Sequence, residues 1–175
     1  MGDPDRRRFL QIATCSIGGG LGIAIVAPAL RACVDPVGRT TVATPDQPLV
    51  VGPVTSFEVG ASPRRVDVIA PRVQDAWTSA NDVLLGAAFI RRLASGKIEA
   101  LSSVCPHLGC VVGWDDGKRN FLCPCHDSQF AMNGDRLTGP SQRGLDPLPV
   151  EILKDGKLAV TWVRYKMGGA KPDKL

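Results

Sequence analysis

Both histidines of this chain and four of its six cysteines lie in two short runs, CPHLGC at 105–110 and CPCHDSQF at 123–130. No other feature constrains the fold as strongly. Each run offers a Cys and a His at close spacing, Cys105-x-His107 and Cys123-x-x-His126, with the fifteen residues 108–122 between them. If these four donors serve one centre, the chain must bring two tight loops together and close them on it from opposite sides.

Two thiolates and two imidazoles are the donor set of a mixed-ligand [2Fe–2S] centre, with Cys on one iron and His on the other. Thiolate is a soft ligand that holds its iron ferric. Neutral imidazole removes negative charge from the second iron and favours its reduction. The potential then lies at roughly −150 to +300 mV, against about −400 mV for an all-Cys cluster. A solvent-facing imidazole nitrogen can also gain or lose a proton as the iron changes valence, a coupling that suits quinol chemistry. Two other readings stand beside this one. A structural zinc site could use two Cys and two His, although zinc fingers usually pair Cys with Cys and His with His along the chain. Alternatively, disulfide cysteines could lie beside unrelated histidines, which requires both imidazoles to fall there by accident.

With these two runs the chain closely resembles the Rieske iron–sulfur proteins over roughly residues 48–165. The resemblance implies that Cys105 and Cys123 bind one iron while His107 and His126 bind the other. It also implies a disulfide between Cys110 and Cys125, the extra pair of the high-potential branch, which Rieske ferredoxins and ring-hydroxylating dioxygenases lack. Such a bridge limits the freedom of two loops with little local structure of their own. Ser128 stands where the family places a hydroxyl aimed at a bridging sulfide. Phe130 stands where many ubiquinol- or plastoquinol-oxidising members carry a Tyr bonded to a ligand cysteine, and Asp127 replaces a common Gly. Hydrogen bonds and charge tune such a cluster, so both departures imply a lower potential than in the highest members. A menaquinol-type donor suits that shift. Gly139-Pro140 resembles the loop that covers the cluster in this family.

Asp5-Arg6-Arg7-Arg8-Phe9-Leu10-Gln11 resembles a twin-arginine signal, and the twenty-two residues from Phe9 to Leu30 carry no charge. That length can cross a bilayer core as a helix. Arginines ahead of the span place the N-terminus on the cytoplasmic side and the head on the outer, periplasmic face. The expected fate is an uncleaved single-pass anchor in the cytoplasmic membrane. Ala27-Pro28-Ala29 offers a small-x-small pattern for cleavage, and Leu30-Arg31-Ala32-Cys33 a poor lipoprotein box. Residues 1–33 are thus read as signal and anchor. Residues 34–48, with three prolines, are read as a hinge linker. The head then spans 49–165, followed by a polar tail at 166–175.

After residue 40 helical periodicity is scarce, and short β-rich runs alternate with turn signals. Strands are expected near 49–59, 64–70, 86–93, 97–104, 120–123, 129–132, 149–153 and 157–163. Hairpin turns are expected at Ser95-Gly96, Asp116-Gly117, Asn133-Gly134 and Asp155-Gly156. The fold class is all-β, a Rieske-type antiparallel β-sandwich head with a cluster-binding subdomain, plus one N-terminal transmembrane helix. Trp114, Trp162 and Tyr165 read as packing residues. The formal net charge of +4 comes largely from leader arginines and tail lysines. The near-neutral head leaves no basic patch for nucleic acid.

The resemblance implies the iron–sulfur subunit of a cytochrome bc-type quinol:cytochrome c oxidoreductase, with one [2Fe–2S] cluster. Its partners would be a cytochrome b subunit, a c-type cytochrome and the membrane quinol. His126 would take the quinol proton, and the subunit would not be catalytic alone. The alternative is the small subunit of an arsenite oxidase, relaying electrons from a molybdenum subunit. A retained anchor and hinge favour the first, a cleaved leader the second.

Overall fold

The computed structural model describes residues 4–38 and 47–175, and divides into a helical unit and a larger β unit. Most of the expected hinge, residues 39–46, lies outside the described residues. The helix α1 runs Pro4–Val34, with Pro28 inside it and no buried side chain. Its 31 residues make a rod about 46 Å long, at about 1.5 Å per residue, longer than the roughly 30 Å of a bilayer's hydrocarbon core. By length and composition it can cross a membrane.

The β unit holds three antiparallel sheets. The first has the order β1–β11–β10, with β1 at Leu49–Pro53, β10 at Val150–Ile152 and β11 at Lys157–Val160. The second has the order β2–β3–β4–β9, formed by Arg64–Gln74, Ser79–Arg92, Ile98–Ser102 and Pro147–Leu148. The third has the order β5–β6–β7–β8, formed by Gly113–Asp115, Asn120–Leu122, Gln129–Ala131 and Arg136–Thr138.

Two cores hold these sheets together, and β3 and β4 border both. Ala88, Ile90 and Ala100 join Leu49, Val68, Leu148, Leu158, Val160 and Trp162 in the first core. Phe89 and Leu101 join Cys105, Val112, Phe121, Cys123, Phe130 and Leu145 in the second. Successive side chains of a strand point to opposite faces, so adjacent residues serve opposite cores. That explains why Ala87-Ala88-Phe89-Ile90 is a continuous apolar run rather than an alternating one.

All eight expected strand regions contain strand, but the first is shorter: β1 stops at Pro53 and a 3-10 turn takes Val54–Ser56. Strands β5 and β8, of three residues each, and β9, of two, were not expected. Strands so short carry too little alternation to register as a pattern. Each of the four expected hairpin turns joins consecutive strands. Residues 166–175, expected as a tail, are held by backbone hydrogen bonds, among them Lys166 N–H to Asp173 O and Gly168 N–H to Pro106 O.

Phe121 is fully buried, with its ring 4.8 Å from Phe89 and 4.9 Å from Trp114. Truncating it leaves a cavity directly beneath the cysteines. Phe121→Ala is expected to destabilise the β unit by about 3–5 kcal/mol in denaturant unfolding; a change within experimental error would show that the second core is not a stability determinant.

Candidate metal centre

The two loops that carry the Cys/His runs are built alike. β4 leads through Ser103 and Val104 into Cys105–Cys110, and β6 leads directly into Cys123–Ser128. In the first loop Cys105 N–H donates to Cys110 O and Gly109 N–H donates back to Cys105 O. In the second, Cys123 N–H donates to Ser128 O and Asp127 N–H donates back to Cys123 O. Both loops therefore close a six-residue turn from a cysteine, with the fifth residue left-handed: Gly109 at φ 84° and Asp127 at φ 54°. Asp127 occupies a backbone slot that glycine fills without strain and that short polar residues tolerate. Its side chain is exposed, so its charge is partly screened by solvent.

The donors gather at this end of the β unit. Cys105 and Cys123 are buried, unbonded to other sulfurs, and part of the aromatic second core. The His107 and His126 rings lie 4.9 Å apart, nearly perpendicular at 85°. His107 is half-buried and His126 exposed. Cys110 and Cys125 are joined in a disulfide with a Cα–Cα distance of 6.5 Å, linking the last residue of one loop to the third of the other. A crosslink spanning fifteen residues is worth about 3 kcal/mol in the chain-entropy account. The Cys123 sulfur lies within 4.8 Å of both disulfide sulfurs. Those two are committed to each other, so Cys123 is the available donor of the three.

Burial pushes the Cys105 thiol up to about 11; the adjacent Cys123 thiol adds to the rise, while the loop amides of His107 and Leu108 oppose it. A metal bound there must displace the proton, and its own charge supplies the driving force. Soft thiolates buried on one side and imidazoles nearer solvent on the other make a donor set that fits a mixed-ligand [2Fe–2S] cluster.

A third segment packs on the second loop. Ser128 is fully buried, and its Oγ accepts the Ser141 N–H at 3.2 Å. That bond uses a lone pair and leaves the hydroxyl proton free to be donated. Gly139, at φ 90°, sits so close that a Cβ there would come within 2.4 Å of Ser128 Cα. Only glycine fits, and Gly139-Pro140 is thereby pinned over Ser128. Phe130 is fully buried in the same core and offers no hydroxyl.

Sequence reasoning did not single out Ser141, Arg143 or Asp146, all buried in this third segment. Arg143 donates to Asp146 through Nε at 2.7 Å and Nη2 at 2.8 Å. That carboxylate, despite the opposing effect of burial, raises the guanidinium pKa above its ordinary value. An Arg and an Asp three residues apart within a Gly/Pro-rich loop were the available signal.

Residues 48–151 match the Rieske [2Fe-2S] domain. The menaquinol:cytochrome c reductase iron-sulfur subunit of Geobacillus thermodenitrificans is 34% identical over 95% of this chain and 92% of its own length. Its Bacillus subtilis (strain 168) counterpart is 32% identical over 97% of this chain and 95% of its own. The cytochrome b6-f complex iron-sulfur subunit of Chlorobaculum tepidum is 28% identical over 91% of this chain and 76% of its own.

The left-handed slot at 127 sets a test. Asp127→Gly should leave the thermal midpoint unchanged or raised, whereas Asp127→Val should lose about 1–2 kcal/mol, the penalty of a left-handed backbone at a branched residue. Equal midpoints for the two variants would refute the loop geometry.

Proposed function

The chain belongs to the Rieske [2Fe–2S] family, and from that premise we propose that it is the iron–sulfur electron-transfer subunit of a membrane quinol:cytochrome c oxidoreductase of the cytochrome bc type. Near full-length similarity to two menaquinol:cytochrome c reductase subunits carries this reading. The disulfide-linked loops and the membrane-length helix support it. The subunit works with a cytochrome b and a c-type cytochrome and is not catalytic alone.

Cys105 and Cys123 would hold one iron, and His107 and His126 the other. When bound, the cluster supplies a one-electron acceptor of higher potential than an all-thiolate centre. The buried cysteines and the Phe121 and Phe130 rings exclude water from one side of the site. His126, exposed at the tip, would accept the quinol hydroxyl's hydrogen bond and then its proton on a ring nitrogen. The Ser128 hydroxyl would donate to a cluster sulfur while Ser141 N–H holds its oxygen in place. Gly139, packed against Ser128, would shield that hydroxyl from solvent.

Menaquinol as the donor is supported by the two menaquinol:cytochrome c reductase relatives and by the missing hydroxyl at Phe130. The basic stretch Arg6-Arg7-Arg8 ahead of the uncharged span supports a cytoplasmic N-terminus, with the head on the outer face. The same stretch would serve as a twin-arginine signal, consistent with a cluster assembled before export. Retention of the helix as an anchor would favour this reading over an arsenite oxidase subunit, and cleavage the reverse.

Mild-detergent solubilisation of native membranes, followed by capture of this chain, should bring with it b-type and c-type haem, read by reduced-minus-oxidised difference spectra. A molybdopterin subunit in their place would overturn the assignment. Separately, Phe130→Tyr restores a hydroxyl in the core beside the cysteines and is expected to raise the midpoint potential in a redox titration followed by EPR. A fall, or no change, would refute the hydroxyl argument.

A further inference from the structure

The end of the chain folds back onto the first ligand loop. Tyr165 pairs with Lys174 in a β-bridge, Lys166 N–H bonds Asp173 O, and Leu175 N–H bonds Arg164 O. These bonds make a small hairpin of residues 164–175, and residues 167 and 168 contact the Cys105–Cys110 loop. Gly168 N–H donates to Pro106 O at 2.8 Å. The Met167 side chain covers Gly109 so tightly that a Cβ on Gly109 would lie 2.7 Å from its sulfur.

The two carbonyls flanking this contact are both gripped by one side chain. Arg143, 8% exposed, donates through Nη2 to Lys166 O at 2.7 Å and through Nη1 to Gly169 O at 2.6 Å. The rest of its fork is engaged by Asp146. We infer that Arg143 is a positioning residue of the cluster site: it holds the C-terminal hairpin against the Cys105–Cys110 loop and so fixes where Cys105 and His107 stand. This inference rests on the cluster reading proposed above.

Arg143 serves the second loop through its own backbone. Its carbonyl accepts the Ser141 Oγ–H, while Ser141 N–H bonds Ser128 Oγ. One short segment therefore ties the hairpin, and through it the first loop, to the second loop. Stability alone does not call for this arrangement, since well-packed apolar residues often replace a buried ion pair without loss. What they cannot reproduce is a planar fork that meets a carboxylate and two carbonyls at once, and lysine cannot do so either.

The test uses the full-length, cluster-loaded chain in native membranes, with two variants: Arg143→Lys, and a chain ending at Tyr165 that removes the hairpin but keeps Arg143 and Asp146. Both are expected to shift the midpoint potential, broaden the reduced-state EPR lines and lose the cluster to a chelator about tenfold to a hundredfold faster. Combining them should add nothing further, because they cut the same link. A merely structural Arg143 would instead lower the thermal midpoint while the cluster retained wild-type spectrum, potential and loss rate; that result, or wild-type values in the shortened chain, overturns the inference alone. Should Arg143→Lys fail to fold, the shortened chain decides. Absence of a [2Fe–2S] EPR signal from the unaltered chain would overturn the cluster reading, and the inference with it.

Discussion

Two thiols on separate short loops must be buried together while the imidazoles of the same loops stay near the surface, and the architecture of the β unit follows from that demand. Neither loop has enough residues to hold its shape alone. Each is closed by the same pair of backbone hydrogen bonds and a left-handed fifth residue, so the cysteine that begins each turn points inward. The second core is built around those cysteines: Phe89, Phe121 and Phe130 surround sulfur rather than only each other. Packing and ligand placement are therefore one problem. A large rearrangement of that core would displace donors as well as lower stability.

Much of this was legible in the residues. The Cys/His runs identified the loops, and four Gly-containing turns located the hairpins, because both signals are local chemistry at fixed spacing. What escaped was either too short or too distant to leave a trace in the sequence. Strands β5 and β8 pair with β6 and β7 across the turns at 116–117 and 133–134, yet three residues apiece leave no periodic pattern. Asp127 read as a charge beside the site, whereas its backbone angle makes it the counterpart of Gly109; the match between loops emerges only from the hydrogen bonds. Residues 166–175 read as a tail because Lys, Gly and Pro dominate them. Their order comes from a guanidinium more than twenty residues away, which composition cannot register.

The supports of the two loops are unequal, and the inequality has a chemical consequence. The second loop is braced by close backbone packing, with Gly139 against Ser128 leaving no room for a side chain. The first loop leans on a flexible methionine and on a hairpin held by charge-assisted hydrogen bonds. The disulfide joins the two loops, so a displacement of either is transmitted to the other. His126, on the closely packed second loop, is the more exposed imidazole. A ring that must meet an incoming hydroxyl within hydrogen-bond distance gains from rigidity, since about an ångström of misplacement can remove a large share of rate. His107, on the first loop, is half-buried and is the less accessible of the two. Close backbone packing thus supports the loop where proton exchange with a partner is proposed, and the hairpin gripped by Arg143 supports the other.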